Sequence, residues 1–318
     1  MNFAVIGTNF VTDWFLDAAA NCPDFTLAAI YSRTEERARE YAKRRNAENV
    51  KFFTSLDELA RDKSIDAVYV ASPISEHCGQ VITLLDGGKH VLCEKPVAQN
   101  SRELRRMFDA AARNKVVLLE AMRPAFLPAL TAIRESMTKI GKIRHASILF
   151  CQYSSRYDRF KAGERINAFN PELGGGALTD LGVYCIQVCL YLFGVPKAIH
   201  SVHSTIPNSI DGTGVISARY GEMTADLIFS KVSDTHNFSE IQGEDGTVRF
   251  RNPNDLAEVY ILRRGEKDFT PVEFEKSEHD MIYELNTFVS AAKNPKNAEY
   301  YNNYSIETVK IIEEVKKL

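Results

Sequence analysis

The 318-residue chain is longer than one hydrophobic core comfortably organises, so two domains are expected. With 45% hydrophobic and 25% charged residues and a formal net charge of −3, it has the make-up of a soluble globular protein and gives no electrostatic case for nucleic acid or a membrane surface. Six scattered cysteines do not make a disulfide framework and no His or Cys cluster completes a metal site, so we expect a cytoplasmic protein with buried thiols and no metal.

Up to Met122 short apolar runs alternate with helical patterns. Strands are read at 3–7, 26–32, 50–53, 66–72, 90–94 and 116–122, with helices near 12–20, 34–45, 55–62, 75–87 and 101–114. The first strand begins at Phe3 with no basic segment ahead of it, so no cleaved leader is expected. Ser101 is read as a helix cap, and Glu35-Glu36 and Asp57-Glu58 stand in first turns, where the helix dipole favours anions. Unbroken Val/Ile/Leu runs separated by helices predict a Rossmann-like, doubly wound parallel sheet over 1–122, with ligands at the carboxyl ends of its strands.

The first strand-to-helix turn, "AVIGTNFVTDWF", keeps Gly7 alone of the three glycines of a dinucleotide turn. Thr8, Asn9 and Phe10 follow it as cofactor-facing residues. Asn9 takes the second glycine position, where Asn tolerates a left-handed backbone, and Thr12 takes the third, with a hydroxyl to offer a phosphate. The second strand ends in Ser32-Arg33-Thr34. No carboxylate waits there for a ribose 2′-hydroxyl, and a guanidinium stands where a 2′-phosphate would arrive, so NADP is expected ahead of NAD. The fourth strand runs into "ASPISEH", with Ser72 at its carboxyl end. The fifth, "HVLCEKPVA", ends on Glu94-Lys95-Pro96, two charges that must be paired or used at the end of a buried run.

From residue 123 the pattern changes. A helix near 128–138 is followed by "IRHASILFCQY", a polar stretch to Leu173 and the helix "ALTDLGVYCIQVCLYLF". The apolar run in that helix contains Gln187 and is read as too short to span a bilayer. Alternating strands at 198–206, 212–220, 223–231, 237–242 and 246–251, and a helical segment from Glu278, predict an α+β domain over 123–318 with a mostly antiparallel open sheet. Apolar residues of "TGVISARY" and "MTADLIFS" share one face, which either the domain's own helices or a second copy must cover; a homodimer is expected.

"GKHVLCEKPVA" and "ELGGGALTDLGVYCIQ", supported by "DAVYVASPISEH" and "EAMRPAFLP", resemble the Gfo/Idh/MocA oxidoreductases in the right order along nearly the whole chain. The likeness is strongest to the branch of NADP-dependent sugar dehydrogenases and dimeric dihydrodiol dehydrogenases, which carry Tyr four residues after the Asp. The resemblance implies that Lys95 enters the space between nicotinamide and substrate, with Glu94 beside it, and that Ser72, Pro73 and His77 lie beside the cofactor. It also implies Tyr184 as acid/base, Lys95 as its electrostatic partner and Asp180 as orienter. Asp180 and Tyr184 are four apart and would share a helix face, while Gly174-Gly175-Gly176 would admit cofactor or substrate close to the backbone. Arg123, Arg156 and Tyr157 are candidate substrate contacts. The implied activity is hydride transfer between NADP and a hydroxyl or carbonyl of a sugar or cyclic diol. Two other readings stay open: a nucleotide-sensing regulatory protein, to which the eroded glycine turn is suited, and a hydrolase or lyase that recycles a bound nicotinamide.

Overall fold

Strands that are apolar on both faces have no side to turn to water, and the computed structural model, which describes residues 1–317, buries them. β1 (Asn2–Ile6), β2 (Thr26–Tyr31), β3 (Lys51–Phe53), β4 (Ala67–Val70), β5 (His90–Glu94) and β6 (Leu118–Ala121) form one sheet in the order 3-2-1-4-5-6. Every neighbouring pair is parallel. The order reverses between β1 and β4, opening a crevice at their carboxyl ends. The connections are α1 (Phe10–Ala19), α2 (Glu35–Arg44), α3 (Leu56–Arg61), α4 (Ile74–Asp86) and α5 (Ser101–Asn114). In α5 Leu104, Met107, Ala110 and Ala111 form the buried stripe, while Arg102, Arg105 and Arg106 are exposed. Its cap is Asn100 and not the expected Ser101: the Asn100 side chain accepts the Glu103 N–H at 2.9 Å. Both residue types cap helices; the extended backbone at Asn100 decides between them.

The second sheet follows α6 (Pro128–Met137). Its strands are β7 (Ile143–Cys151), then, after α7 (Tyr157–Lys161) and α8 (Val183–Phe193), β8 (Ala198–Ile206), β9 (Ile210–Tyr220), β10 (Met223–Ser230), β11 (Ser239–Gly243), β12 (Gly246–Phe250), β13 (Tyr260–Arg263) and β14 (Thr270–Pro271). Their order is 14-13-12-11-7-10-9-8. All pairs are antiparallel except β7 with β10. The helical connection between β7 and β8 lets those two strands run the same way, and two antiparallel steps return β10 alongside β7. β13 and β14, four and two residues long, carry no readable alternation and were not expected from sequence. One face of the sheet buries Ile148, Phe150, Ile216, Leu227 and Phe229.

The chain ends in α9 (Ile282–Lys293) and α10 (Lys296–Val315). Packing divides it into Met1–Met122 with Ser277–Ile306, and Arg123–Lys276 with the residues from Glu307 onward. The sequence pattern assigns all of 123–318 to the second unit, whereas packing puts Ser277–Ile306 with the first. An amphipathic pattern reveals that a helix docks, but not on which core. Phe288 of α9 meets Phe3 with ring centroids 5.8 Å apart, and the Asn302 side chain donates to the Leu118 carbonyl at 3.1 Å.

The helical run Pro171–Phe193 is, contrary to the sequence reading, long and apolar enough to cross a membrane, but 78% of its most apolar window is buried in the protein. The six cysteines are free thiols, all buried except the half-buried Cys151.

Candidate active site

In the first unit the turn after β1 depends on two residues. Gly7 sits at φ +104, and a Cβ there would lie 2.6 Å from the Ala71 carbonyl oxygen. Asn9 does not use the left-handed backbone expected of it. Its φ of −103 is extended, and its side chain caps α1 by accepting from the N–H groups of Val11 and Thr12. Its Nδ2 donates to the Ala71 carbonyl at 3.0 Å, tying the ends of β1 and β4 together. Side-chain capping thus replaces the second glycine. Thr12 is wholly buried, and its hydroxyl has no hydrogen-bond partner among the described residues. Phe10 is exposed and meets Trp14 edge-on.

At the end of β2 the Ser32 N–H donates to the Phe53 carbonyl, and the Thr34 hydroxyl caps α2 by accepting the Arg37 N–H at 3.4 Å. Arg33 is exposed and makes no ion pair among the described residues. A bare glycine turn, a helix N-terminus and an uncompensated guanidinium with no carboxylate beside it fit a dinucleotide bearing a 2′-phosphate.

The turn that carries Lys95 is held at three successive points. Glu94 Oε1 accepts the Tyr69 hydroxyl at 2.5 Å. The Pro96 carbonyl faces His77 Nδ1 at 3.1 Å, and the other ring nitrogen faces the Ser72 carbonyl at 2.9 Å. The Val97 N–H donates to Glu120 Oε1 at 2.9 Å, whose second oxygen accepts the Ser305 hydroxyl. Between Val91 and Ala98, Glu94 and Lys95 alone are not buried, and the Lys95–Pro96 peptide is cis. His77, expected beside the cofactor, is 1% exposed and joins the ends of β4 and β5 from inside. Burial lowers its proton affinity, and the facing carbonyls oppose that shift. Burial likewise raises the Glu120 pKa. The Ser72 hydroxyl donates to Gln80 at 2.7 Å, and Pro73 stands at the cap position of α4.

In the second unit the predicted continuous helix is interrupted: Leu178–Gly182 is π-helical before α8 begins at Val183. Such turns carry one surplus residue and recur at functional sites. Asp180 lies in this segment, so plain α-helical spacing does not describe its relation to Tyr184. From Gly176 to Tyr191 every residue is buried except those two. Phe150 packs edge-on against the Tyr184 ring at 5.6 Å. Two of the three glycines make room for the chain's own atoms. A Cβ on Gly175 would lie 2.8 Å from the Ala168 carbonyl, and one on Gly176 (φ +146) would strike Asp211. Asp211 Oδ2 in turn accepts the Leu178 N–H at 2.5 Å.

Of the candidate substrate residues, Arg123 donates through Nε to the Asn254 carbonyl at 3.0 Å. Arg156 precedes α7, and Tyr157 packs on Phe160 and Phe169 within a cluster that includes Ile166 and Ile210. A cavity of about 860 Å³ is lined by Tyr157, Phe160, Phe169, Arg165 and Asn167, among others. Sequence reasoning missed Lys231. It is 1% exposed, and its Nζ donates to Asp180 Oδ2 at 3.0 Å and to the Ala168 carbonyl at 2.7 Å. Its one sequence signal is a lysine directly after the apolar strand "ADLIFS".

Residues 1–122 match an oxidoreductase family with an NAD-binding Rossmann fold, and residues 133–249 match the GFO/IDH/MocA C-terminal domain. The NADP(+)-dependent scyllo-inositol 2-dehydrogenase IolU of Bacillus subtilis is 41% identical over 100% of this chain and 96% of its own. Mouse trans-1,2-dihydrobenzene-1,2-diol dehydrogenase is 28% identical over 85% of this chain and 80% of its own. Among solved structures, the fold is similar to that of KijD10, a 3-ketoreductase from Actinomadura kijaniata in complex with NADP and TDP-benzene. Its TM-score is 0.88 at 21% identity, over 100% of this chain and 97% of that one.

Proposed function

The chain belongs to the Gfo/Idh/MocA family of oxidoreductases, and from that premise we propose that it transfers hydride between NADP and a ring hydroxyl or carbonyl of a cyclic polyol or sugar. The observation that carries this reading is the pair Asp180 and Tyr184, a carboxylate and a phenol that alone stay partly exposed between Gly176 and Tyr191, where every other residue is buried. The kinship with IolU favours a cyclic polyol over an open-chain sugar.

Bound NADP supplies the hydride acceptor or donor. The chain's own groups do the rest. Tyr184 exchanges the proton at the reacting oxygen. A phenol of ordinary pKa, about 10, is a poor base near neutrality, and a cation serving the same oxygen favours the phenolate. We assign that cation to Lys95, whose neighbours Glu94, Pro96 and Val97 are held by Tyr69, His77 and Glu120. Asp180 orients the substrate by accepting from a hydroxyl. Arg33 receives the 2′-phosphate. We further read the protein as cytoplasmic and homodimeric.

The test follows reduced-nicotinamide absorbance with inositols, aldoses and trans-cyclic diols. We expect oxidation of a ring polyol with NADP+ in preference to NAD+. Tyr184→Phe should lower turnover by about 10²–10⁴-fold while leaving NADPH affinity within about twofold. Full activity in that variant ends the assignment of Tyr184. No turnover on any substrate, together with nucleotide-dependent binding to another protein, replaces the enzyme with the sensor.

A further inference from the structure

Lys231 directly follows β10 and is 1% exposed. Taking an ammonium out of water costs several kcal/mol unless charge and hydrogen bonds compensate it. Here the compensation comes from two places. One is Asp180, whose own side chain is 44% exposed, so its carboxylate is tethered inside by one oxygen while much of it stays open. The other is the loop before the glycines, through the Ala168 carbonyl and the face of Phe169, whose ring centroid is 4.5 Å from Nζ. Phe169 stacks on Phe160 and touches Tyr157. The same ammonium therefore fixes both the acid on the π-helical turn and the aromatic loop expected to face substrate. The remaining charged groups around it are Asp211, which interacts electrostatically with Lys231, and His203, which interacts with Asp211.

We propose that Lys231 is a positioning residue of the reaction assigned above: it holds Asp180 as a carboxylate, an acceptor and not a donor, and locks that carboxylate to the Tyr157–Phe169 loop. The inference rests on that reading of the reaction. A filler of the core would do equally well as an apolar side chain; a buried cation adds fixed charge and direction.

The experiment compares wild type, Lys231→Met and Asp180→Asn as full chains. Lys231→Met should lower kcat about 10- to 100-fold, as for a misplaced reacting group, with NADPH affinity unchanged. It should also move the acid limb of kcat/KM to higher pH, because a carboxylate deprived of its cation is protonated more easily. A fall in kcat and stability with the acid limb unmoved makes Lys231 a packing residue and overturns the proposal. A second arm needs no turnover. Asp180→Asn strands the buried ammonium and should lower Tm at pH 7. A carboxylate stabilised by a cation contributes above its unfolded pKa of about 3.9 and loses that contribution as pH falls. The Tm gap to wild type should therefore close towards pH 3, and a wild-type Tm for Asp180→Asn at pH 7 overturns the proposal even where Lys231→Met does not fold. Failure of the underlying reaction shows differently: wild type without turnover, or an active Tyr184→Phe, alongside an intact Tm gap.

Discussion

On the reading proposed above, the preference for NADP rests on one guanidinium. Arg33 is exposed and without an ion pair among the described residues, so its charge is available to a phosphate. A charge-assisted hydrogen bond is worth about 1.5–3 kcal/mol, so Arg33→Ala should weaken NADPH roughly 10- to 100-fold and leave NADH unchanged. Trp14, the sole tryptophan, lies on α1 and is 52% exposed, giving a fluorescence readout that does not depend on activity. Equal loss for both nucleotides would remove Arg33 from the phosphate site. Asn9 illustrates the opposite situation, a residue whose type was informative but whose conformation was not. Its side chain caps α1 and holds β4, tasks that any extended Asn can do, so the left-handed backbone was never required.

At the scale of elements, the turn into the helical run around Asp180 is the most constrained. Gly176 holds a backbone that L side chains avoid, and the space beside it belongs to Asp211, which caps Leu178. Gly176→Ala should destabilise the protein by roughly 1–3 kcal/mol through strain at that φ, with further loss if Asp211 is displaced. Thermal melting measures this, and NADPH binding should be spared. A melting temperature equal to wild type would mean the turn relaxes freely. The Lys95 turn is built differently, by convergence: Tyr69, His77 and Glu120 come from three separate elements and each grips one residue of it. The motif Glu-Lys-Pro announced that the charges had work to do, but the residues that hold the turn lie 19 to 25 positions away along the chain, where local pattern says nothing.

Across the whole molecule the uncovered face of the second sheet remains. Val202 pairs with Val215, Val215 with Ile228 and Ile228 with Leu149, an aliphatic row across β8, β9, β10 and β7. Val202 is 72% exposed and none of the other three is fully buried. A second copy seated there would remove this row from water. Light scattering should give about twice 35.8 kDa for wild type and the single mass for Ile228→Asp; a wild-type monomer at micromolar concentration refutes the dimer. The sequence by itself determined the parallel sheet, the end of β5 at Glu94 and the ends of β1, β2 and β4 to within two residues, and the segments bearing Lys95, Asp180 and Tyr184, because hydrophobic period and short motifs are local properties. Only tertiary structure decided that α9 joins the first core, that Gly175 and Gly176 make room for Ala168 and Asp211, and that Lys231 is a partner of Asp180. Those outcomes depend on which distant surfaces and charges meet once the chain is compact, and Asp180 and Lys231 are 51 positions apart with no local signal of their meeting.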